Sequence, residues 1–290
     1  MLASPYRGAQ IGAENTPVEP DPGHAGEGSS LNVPRVLTIA GSDSGGGAGI
    51  QADLKAFAAA GAYGTSAIVA LTAQNTRGVL AVHELPPAFV TAQLEAVFAD
   101  IGADAAKTGM LFSRRVIAAV ADYLEEHRVP LVVDPVMVAS SGARLLEGAA
   151  VAALVDRLFP LATVVTPNLA EAQALTGNSR VVLKEQLAEE LVALGATAAI
   201  VTGGHGDPVD HLFDGREHVE IVVDRHDIAA THGAGCTHSA TLAVLLARGL
   251  PLVEAARGAA RAASDAVLHG LPEIGAGDGP VDALDLKGRQ

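Results

Sequence analysis

The stretch Val36-Leu37-Thr38-Ile39-Ala40 runs directly into Gly41-Ser42-Asp43-Ser44-Gly45-Gly46-Gly47-Ala48-Gly49, and that loop runs into Ile50-Gln51-Ala52-Asp53. A short apolar run bounded by turn residues reads as a buried strand. The glycine loop ends it, and a helix is predicted over about 49–60. Strand, glycine loop and helix in this order make the opening unit of an α/β fold.

The alternation continues outward from this unit. Strands are predicted at 66–71, 105–108, 131–133, 163–166 and 198–202. Helices are predicted at 86–101, around Val116, Val120 and Leu124, and at about 149–158, 168–175, 184–194, 236–247 and 253–268. Val90, Leu94, Val97 and Ile101 recur at helical spacing, and Pro86 or Pro87 suits the first turn of that helix. Two β-rich runs around Asp214-Gly215 predict a hairpin over 209–223. Strands alternating with helices imply a mostly parallel central sheet with helices on both faces. Residues 1–34 differ: they hold five prolines and five glycines without apolar period, and are expected to form a disordered extension. Residues 35–290 are expected to form one domain.

Nearly half of the 290 residues are hydrophobic, so a large core is available. The formal net charge is −14 and there is no Trp. An acidic surface repels phosphate backbones, which argues against nucleic acid as a partner. The same charge means that a phosphorylated ligand would need local help from backbone N–H groups, a metal or placed cations. A single cysteine forms no internal disulfide, no apolar run reaches the length of a membrane span, and the first residues lack a signal-peptide pattern. A cytoplasmic protein is expected, with no membrane partner.

In a parallel sheet, ligands bind beyond the carboxyl ends of the strands. Two glycine loops fall there. Thr231-His232-Gly233-Ala234-Gly235-Cys236-Thr237 precedes an apolar helix. Small residues let backbone approach a ligand, and free N–H groups at a helix start form an anion site suited to a phosphoryl group in transfer. Cys236 falls in the first turn, where a thiol pKa is expected to drop, so it could take a proton from a substrate hydroxyl. The competing reading is a plain glycine turn over a small buried Cys. The Gly41–Gly49 loop lacks the Lys and the Ser or Thr of a P-loop, and its spacing fails the dinucleotide fingerprint. It could close over a small flat ligand, with Asp53 accepting hydrogen bonds from that ligand or simply stabilising the helix dipole.

Asp134 ends a strand and is placed for Mg²⁺, or is a turn aspartate. Asn168 and Glu171 have the spacing of a capping box, which by itself explains both. Gln74-Asn75-Thr76-Arg77-Gly78 supplies an amide pair and a cation, and Gly203-Gly204-His205-Gly206 follows the strand that ends at Thr202.

These segments, with the run 38–55, Thr108-Gly109-Met110, Asp134-Pro135-Val136-Met137 and Thr166-Pro167-Asn168-Leu169-Ala170-Glu171, closely resemble the hydroxymethylpyrimidine/phosphomethylpyrimidine kinases of thiamine biosynthesis. That family is part of the ribokinase-like superfamily of three-layer α/β sandwiches. The resemblance spans about residues 35–270. It implies ATP-dependent phosphorylation, with Mg²⁺, of the hydroxymethyl group of 4-amino-5-hydroxymethyl-2-methylpyrimidine and then of its monophosphate. It implies that Asp53 and Gln74 bond the aminopyrimidine and that Gly41, Ala48 and Met110 line its pocket. Asp134 and Glu171 would serve the metal, with Asn168, Thr202 and Gly204 beside the nucleotide. Gly233, Ala234 and Gly235 would form the anion hole, with Cys236 as base, and a homodimer is implied.

Three departures stand out. Many relatives carry Lys where this chain has Thr202, and Arg77 or the metal would then balance the nucleotide charge. Ala234 stands where relatives often have Thr, and the tail from Gly277 to Val281 echoes a family ending before diverging. Two other readings are a pyridoxal kinase of the same superfamily and a non-catalytic pyrimidine-binding protein, the latter motivated by Thr202.

Overall fold

The computed structural model describes residues 33–138, 148–178, 183–203, 208–224 and 226–289. The extension expected over 1–34 lies outside them, apart from its last two residues. Pro34 already belongs to the folded body, because its carbonyl accepts the Tyr63 N–H at 2.8 Å.

Among the described residues, nine strands form one sheet: β1 (Arg35–Asp43), β2 (Tyr63–Asn75), β3 (Gly78–Glu84), β4 (Ala105–Thr108), β5 (Leu131–Val133), β6 (Val164–Val165), β7 (Ala199–Val201), β8 (Val209–Phe213) and β9 (His218–Val222). Their order is β3-β2-β1-β4-β5-β6-β7-β8-β9. The six strands from β2 to β7 are parallel, and antiparallel strands close both edges. The chain moves from β1 outward to β2 and β3, then returns to lay β4 on the other flank of β1. Strand order therefore reverses between β1 and β4, and the crevice above that point is where an open α/β sheet receives ligands.

The helices are α1 (Gly49–Ala59), α2 (Pro87–Asp100), α3 (Arg114–Glu126), α4 (Gly148–Ala153), α5 (Leu169–Thr176), α6 (Lys184–Ala193), α7 (Ala234–Ala247) and α8 (Leu252–Leu268). Successive strand side chains point to opposite faces, so each central strand feeds two cores. Val36, Val132, Val164 and Ile200 pack with Phe57 of α1 and with Ala240, Ala243 and Ala256 of α7 and α8. Leu37, Ile39, Val133, Val165 and Val201 pack on the other face against Leu94, Val120, Leu158 and Leu187. This is the three-layer sandwich expected from the sequence.

Two elements differ from expectation. Residues 78–84 form an antiparallel edge strand that the apolar pattern does not reveal, because it buries little; Leu80 is 79% exposed. The helix expected over 149–158 is α-helical only to Ala153 and then widens into a π-helical turn over Leu154–Leu158. Among the described residues, no helix is long and apolar enough to cross a membrane.

Candidate active site

Asp43, the last residue of β1, organises the first glycine loop. One of its oxygens accepts the N–H of Gly45 (2.7 Å), and the other accepts those of Gly47 (3.0 Å) and Ala48 (2.9 Å). The second oxygen also lies 3.3 Å from Nε2 of His232. These donors outweigh the effect of burial and hold the Asp43 carboxyl below its ordinary range. Gly41 donates its N–H to the Met110 carbonyl (3.1 Å), and a Cβ on Gly41 would strike the Met110 side chain. Gly41 and Met110 thus meet at the switch point between β1 and β4, and Ala48 lies in the loop that Asp43 holds.

The second loop sits directly on the first. Gly233 is the N-cap of α7 with φ +90°, and a Cβ there would lie 2.0 Å from the carbonyl oxygen of Gly47. No side chain caps α7, and a Cβ on the exposed Gly235 would meet nothing within 4 Å. The N–H of Ala234 is taken by the Thr231 carbonyl at 3.1 Å, so the open side of the α7 N-terminus, at Gly235 and Cys236, is what an anion could meet. The tail from Asp278 to Val281 braces this loop from outside. Asp278 accepts the Thr231 N–H and hydroxyl, His232 N–H bonds to the Gly279 carbonyl, and Val281 N–H bonds to the His232 carbonyl.

Beneath α7 lies a buried charge cluster. Lys107 on β4 is fully buried; its Nζ is 2.8 Å from Asp53 Oδ1 and 3.6 Å from Asp134 Oδ2. Thr38 donates its hydroxyl to Asp53 Oδ2 at 2.6 Å. Burial works to lower the Lys107 pKa, but the Asp53 carboxylate, with Asp134, outweighs it and holds the ammonium charged. Burial also raises the Asp53 carboxyl while Lys107 pulls it back. With an ammonium and a hydroxyl each pointing at one of its oxygens, the ionised form of Asp53 satisfies all three groups. Asp53 is therefore placed differently from expectation: it is the buried counter-ion of Lys107, with both oxygens engaged, rather than a carboxylate facing a ligand.

Cys236 is half-buried in the first turn of α7. Its thiol is pushed up to about 12, first by burial, against the pull of Lys107, and further by Asp53 and Asp134, with the Gly49 backbone opposing the rise. The drop expected from the helix start is overturned here, because desolvation and two carboxylates exceed the dipole. The resting thiol is neutral.

Asp134 extends from β5 and accepts the Ser239 hydroxyl at 2.8 Å. Asn168 and Glu171 form the capping box of α5, each side chain bonding the other's backbone N–H at 3.0 Å. Glu171 also accepts the Met137 N–H. Burial and the neighbouring Asp134 raise its carboxyl to about 7. The two carboxylates of the sequence reading are thus brought together. Thr202 donates its N–H to the Pro167 carbonyl, beside this box. Gly203 N–H bonds to Asp210, whose other oxygen is 3.5 Å from His238 of α7. Gly204 and His205 lie outside the described residues.

Gln74 and Arg77 lie where β2 turns into β3. With His232 and Asp278 they line a cleft of about 570 Å³ between that turn and the tail. Ser44 bonds the backbone of Gln74, fixing this turn to the first loop. Cys236, Lys107 and Asp134 do not line the cleft.

Sequence reasoning missed Lys107, Asp43, His232 and Asp278. Lys107 carried a usable signal: a lysine inside a four-residue strand that is otherwise apolar or small demands a buried partner. Asp278 gave only a faint one, in a tail that echoes a family ending, since its role comes from where the tail returns.

The profile of the phosphomethylpyrimidine kinase family matches residues 43–282. The chain is 51% identical over 255 residues to the thiamine biosynthesis bifunctional protein ThiED of Geobacter sulfurreducens, covering 86% of this chain and 52% of that protein. It spans about half of that longer relative. It is 50% identical over 253 residues to a hydroxymethylpyrimidine/phosphomethylpyrimidine kinase of Rhizobium meliloti, covering 84% of this chain and 95% of that one. Among solved structures it is similar to an ADP complex of Bacillus subtilis pyridoxal kinase, with a TM-score of 0.81, 36% identity, and coverage of 88% of this chain and 99% of that chain.

Proposed function

The chain belongs to the phosphomethylpyrimidine kinase family, and from that premise we propose that it transfers a phosphoryl group from ATP to 4-amino-5-hydroxymethyl-2-methylpyrimidine and then to the monophosphate so formed. The observation that carries this reading is the junction of the two glycine loops at Gly47 and Gly233, which sets an uncapped helix N-terminus over the switch point between β1 and β4.

In this reading the backbone N–H groups of Gly233, Gly235 and Cys236 hold the oxygens of the group in transfer, while that of Ala234 stays bonded to the Thr231 carbonyl and shapes the loop. Gln74 bonds the aminopyrimidine, with Gly41, Ala48 and Met110 along the ring. The sulfur of Cys236 hydrogen-bonds the attacking hydroxyl as a neutral thiol. Lys107, fixed by Asp53, supplies positive charge below the reacting atoms, which offsets the acidity of the chain where the charge matters. Asn168, Thr202 and Gly204 lie on the nucleotide side.

Asp134 and Glu171 suit Mg²⁺: two buried carboxylates, with Asp134 disfavouring charge on Glu171, are a donor set for a hard cation. When bound, the ion would neutralise nucleotide phosphate charge. A cytoplasmic location, a homodimer and a single kinase domain over 35–290 complete the proposal, on the strength of the family resemblance.

The similarity to pyridoxal kinase supports a second reading, in which pyridoxal is the preferred alcohol. Turnover of the pyrimidine alcohol, its monophosphate and pyridoxal by the purified full chain with Mg-ATP separates the two. We expect kcat/KM to favour both pyrimidines. A clear preference for pyridoxal would overturn the assignment, and binding of the pyrimidine without ADP formation would favour a non-catalytic protein.

A further inference from the structure

A second group of metal-binding side chains lies between α6 and the β8–β9 hairpin. Glu185 and Glu189 are four residues apart and share a face of α6. His211 on β8 stands opposite Glu220 on β9, so both side chains leave the same face of the hairpin, as does His218 two residues from Glu220. One ligand atom from each of Glu185, His211 and Glu220 lies within 4.8 Å of the others. Bonds of about 2.0–2.2 Å from a single ion reach such a set with small side-chain adjustments.

The surroundings of His211 orient it. Its Nε2 is 2.9 Å from Nδ1 of His218, and Nε2 of His218 is 3.0 Å from the Glu189 carboxylate. A carboxylate only accepts, so His218 carries its proton on Nε2. In the neutral ring, Nδ1 of His218 then accepts the proton of His211 Nε2–H, and the lone pair of His211 remains on Nδ1. A ligating histidine whose far N–H leads to a carboxylate is how metal sites fix tautomer and ring direction. The neighbouring cation on α6, Lys184, bonds to the Val209 carbonyl.

We propose that Glu185, His211 and Glu220 bind a divalent first-row transition-metal ion of the zinc or cobalt class, with His218 and Glu189 positioning His211. An imidazole beside two carboxylates selects such ions over Mg²⁺ or Ca²⁺. His211 is buried and Glu220 is exposed, which gives the ion a floor and an entry path. The ion joins α6 to the two antiparallel strands that end the sheet, away from the glycine junction.

The test is titration of metal-free full-length protein with Co²⁺, read by visible ligand-field absorption, with thermal unfolding in Zn²⁺ alongside. We expect saturable bands and a rise in Tm on adding Zn²⁺. Glu220→Gln and Glu185→Gln should weaken Co²⁺ binding at least tenfold, and His218→Gln by about 10–100-fold, while Mg-ATP turnover in Glu220→Gln stays at the wild-type level. If His211→Gln fails to fold, the exposed Glu220 and half-buried Glu185 variants decide. Absence of ligand-field bands overturns the proposal. So do bands that persist unchanged in both glutamate variants, since the ion would then sit elsewhere, for instance at Cys236.

Discussion

The carbonyl oxygen of Gly47 lies 2.0 Å from where a Cβ of residue 233 would be, so the first and last glycine loops are seated against each other backbone to backbone. Gly233→Ala adds that clash to a positive φ that L residues avoid at about 1–2 kcal/mol. We expect the variant to fold with a Tm lower by several degrees, and kcat to fall more than tenfold because the α7 N–H groups shift. Calorimetry and steady-state kinetics on the same preparation check both.

Cys236 discriminates between a thiolate base and a neutral hydrogen-bonding thiol. With its pKa pushed up to about 12, the neutral form dominates at pH 7. Cys236→Ser should therefore retain much of kcat, while Cys236→Ala should lose on the order of 10²-fold. Alkylation of the wild-type thiol should be slow at neutral pH and keep rising past pH 9. A serine variant as inactive as the alanine one, with fast alkylation at pH 7, would restore the thiolate reading.

Lys107 and Asp53 form a buried pair whose halves are costly apart. Lys107→Met leaves the Asp53 carboxylate without its cation and should cost about 3–5 kcal/mol. Adding Asp53→Asn should recover part of that loss. Urea unfolding of the two single variants and the double variant gives the coupling directly, and strict additivity would refute it.

Glu171 sets a pH dependence of stability. Its folded pKa of about 7 lies above the ordinary value of 4.5, so between those limits the native state binds more protons than the unfolded one. Stability in metal-free buffer should then fall as pH rises from about 4.5 to 7 and level off above. The full shift corresponds to at most about 3 kcal/mol. Unfolding at pH 5 and pH 8 should show this loss in the wild type and lose most of it in Glu171→Gln.

The strands that buried both faces were legible because continuous short apolar runs between turn signals have few other readings; 105–108 and 131–133 match the observed β4 and β5. The capping box at Asn168 was legible because its chemistry is local. β3 was not, since an edge strand with an exposed Leu80 and only half-buried Val79 and Val82 carries no buried stripe. The role of Asp53 depended on Lys107, 54 residues away, and local spacing has no access to such a partner. The thiol of Cys236 was hard to read for a related reason: the helix start is visible in sequence, but the burial that dominates its pKa, and the charges of Asp53 and Asp134 that add to it, come from packing against distant elements.

The tail that braces His232 works as a keystone. Residues 276–281 hold both the Thr76 turn and the second glycine loop, so two loops far apart in sequence are locked in place by a third segment, and loosening that segment would unseat both at once.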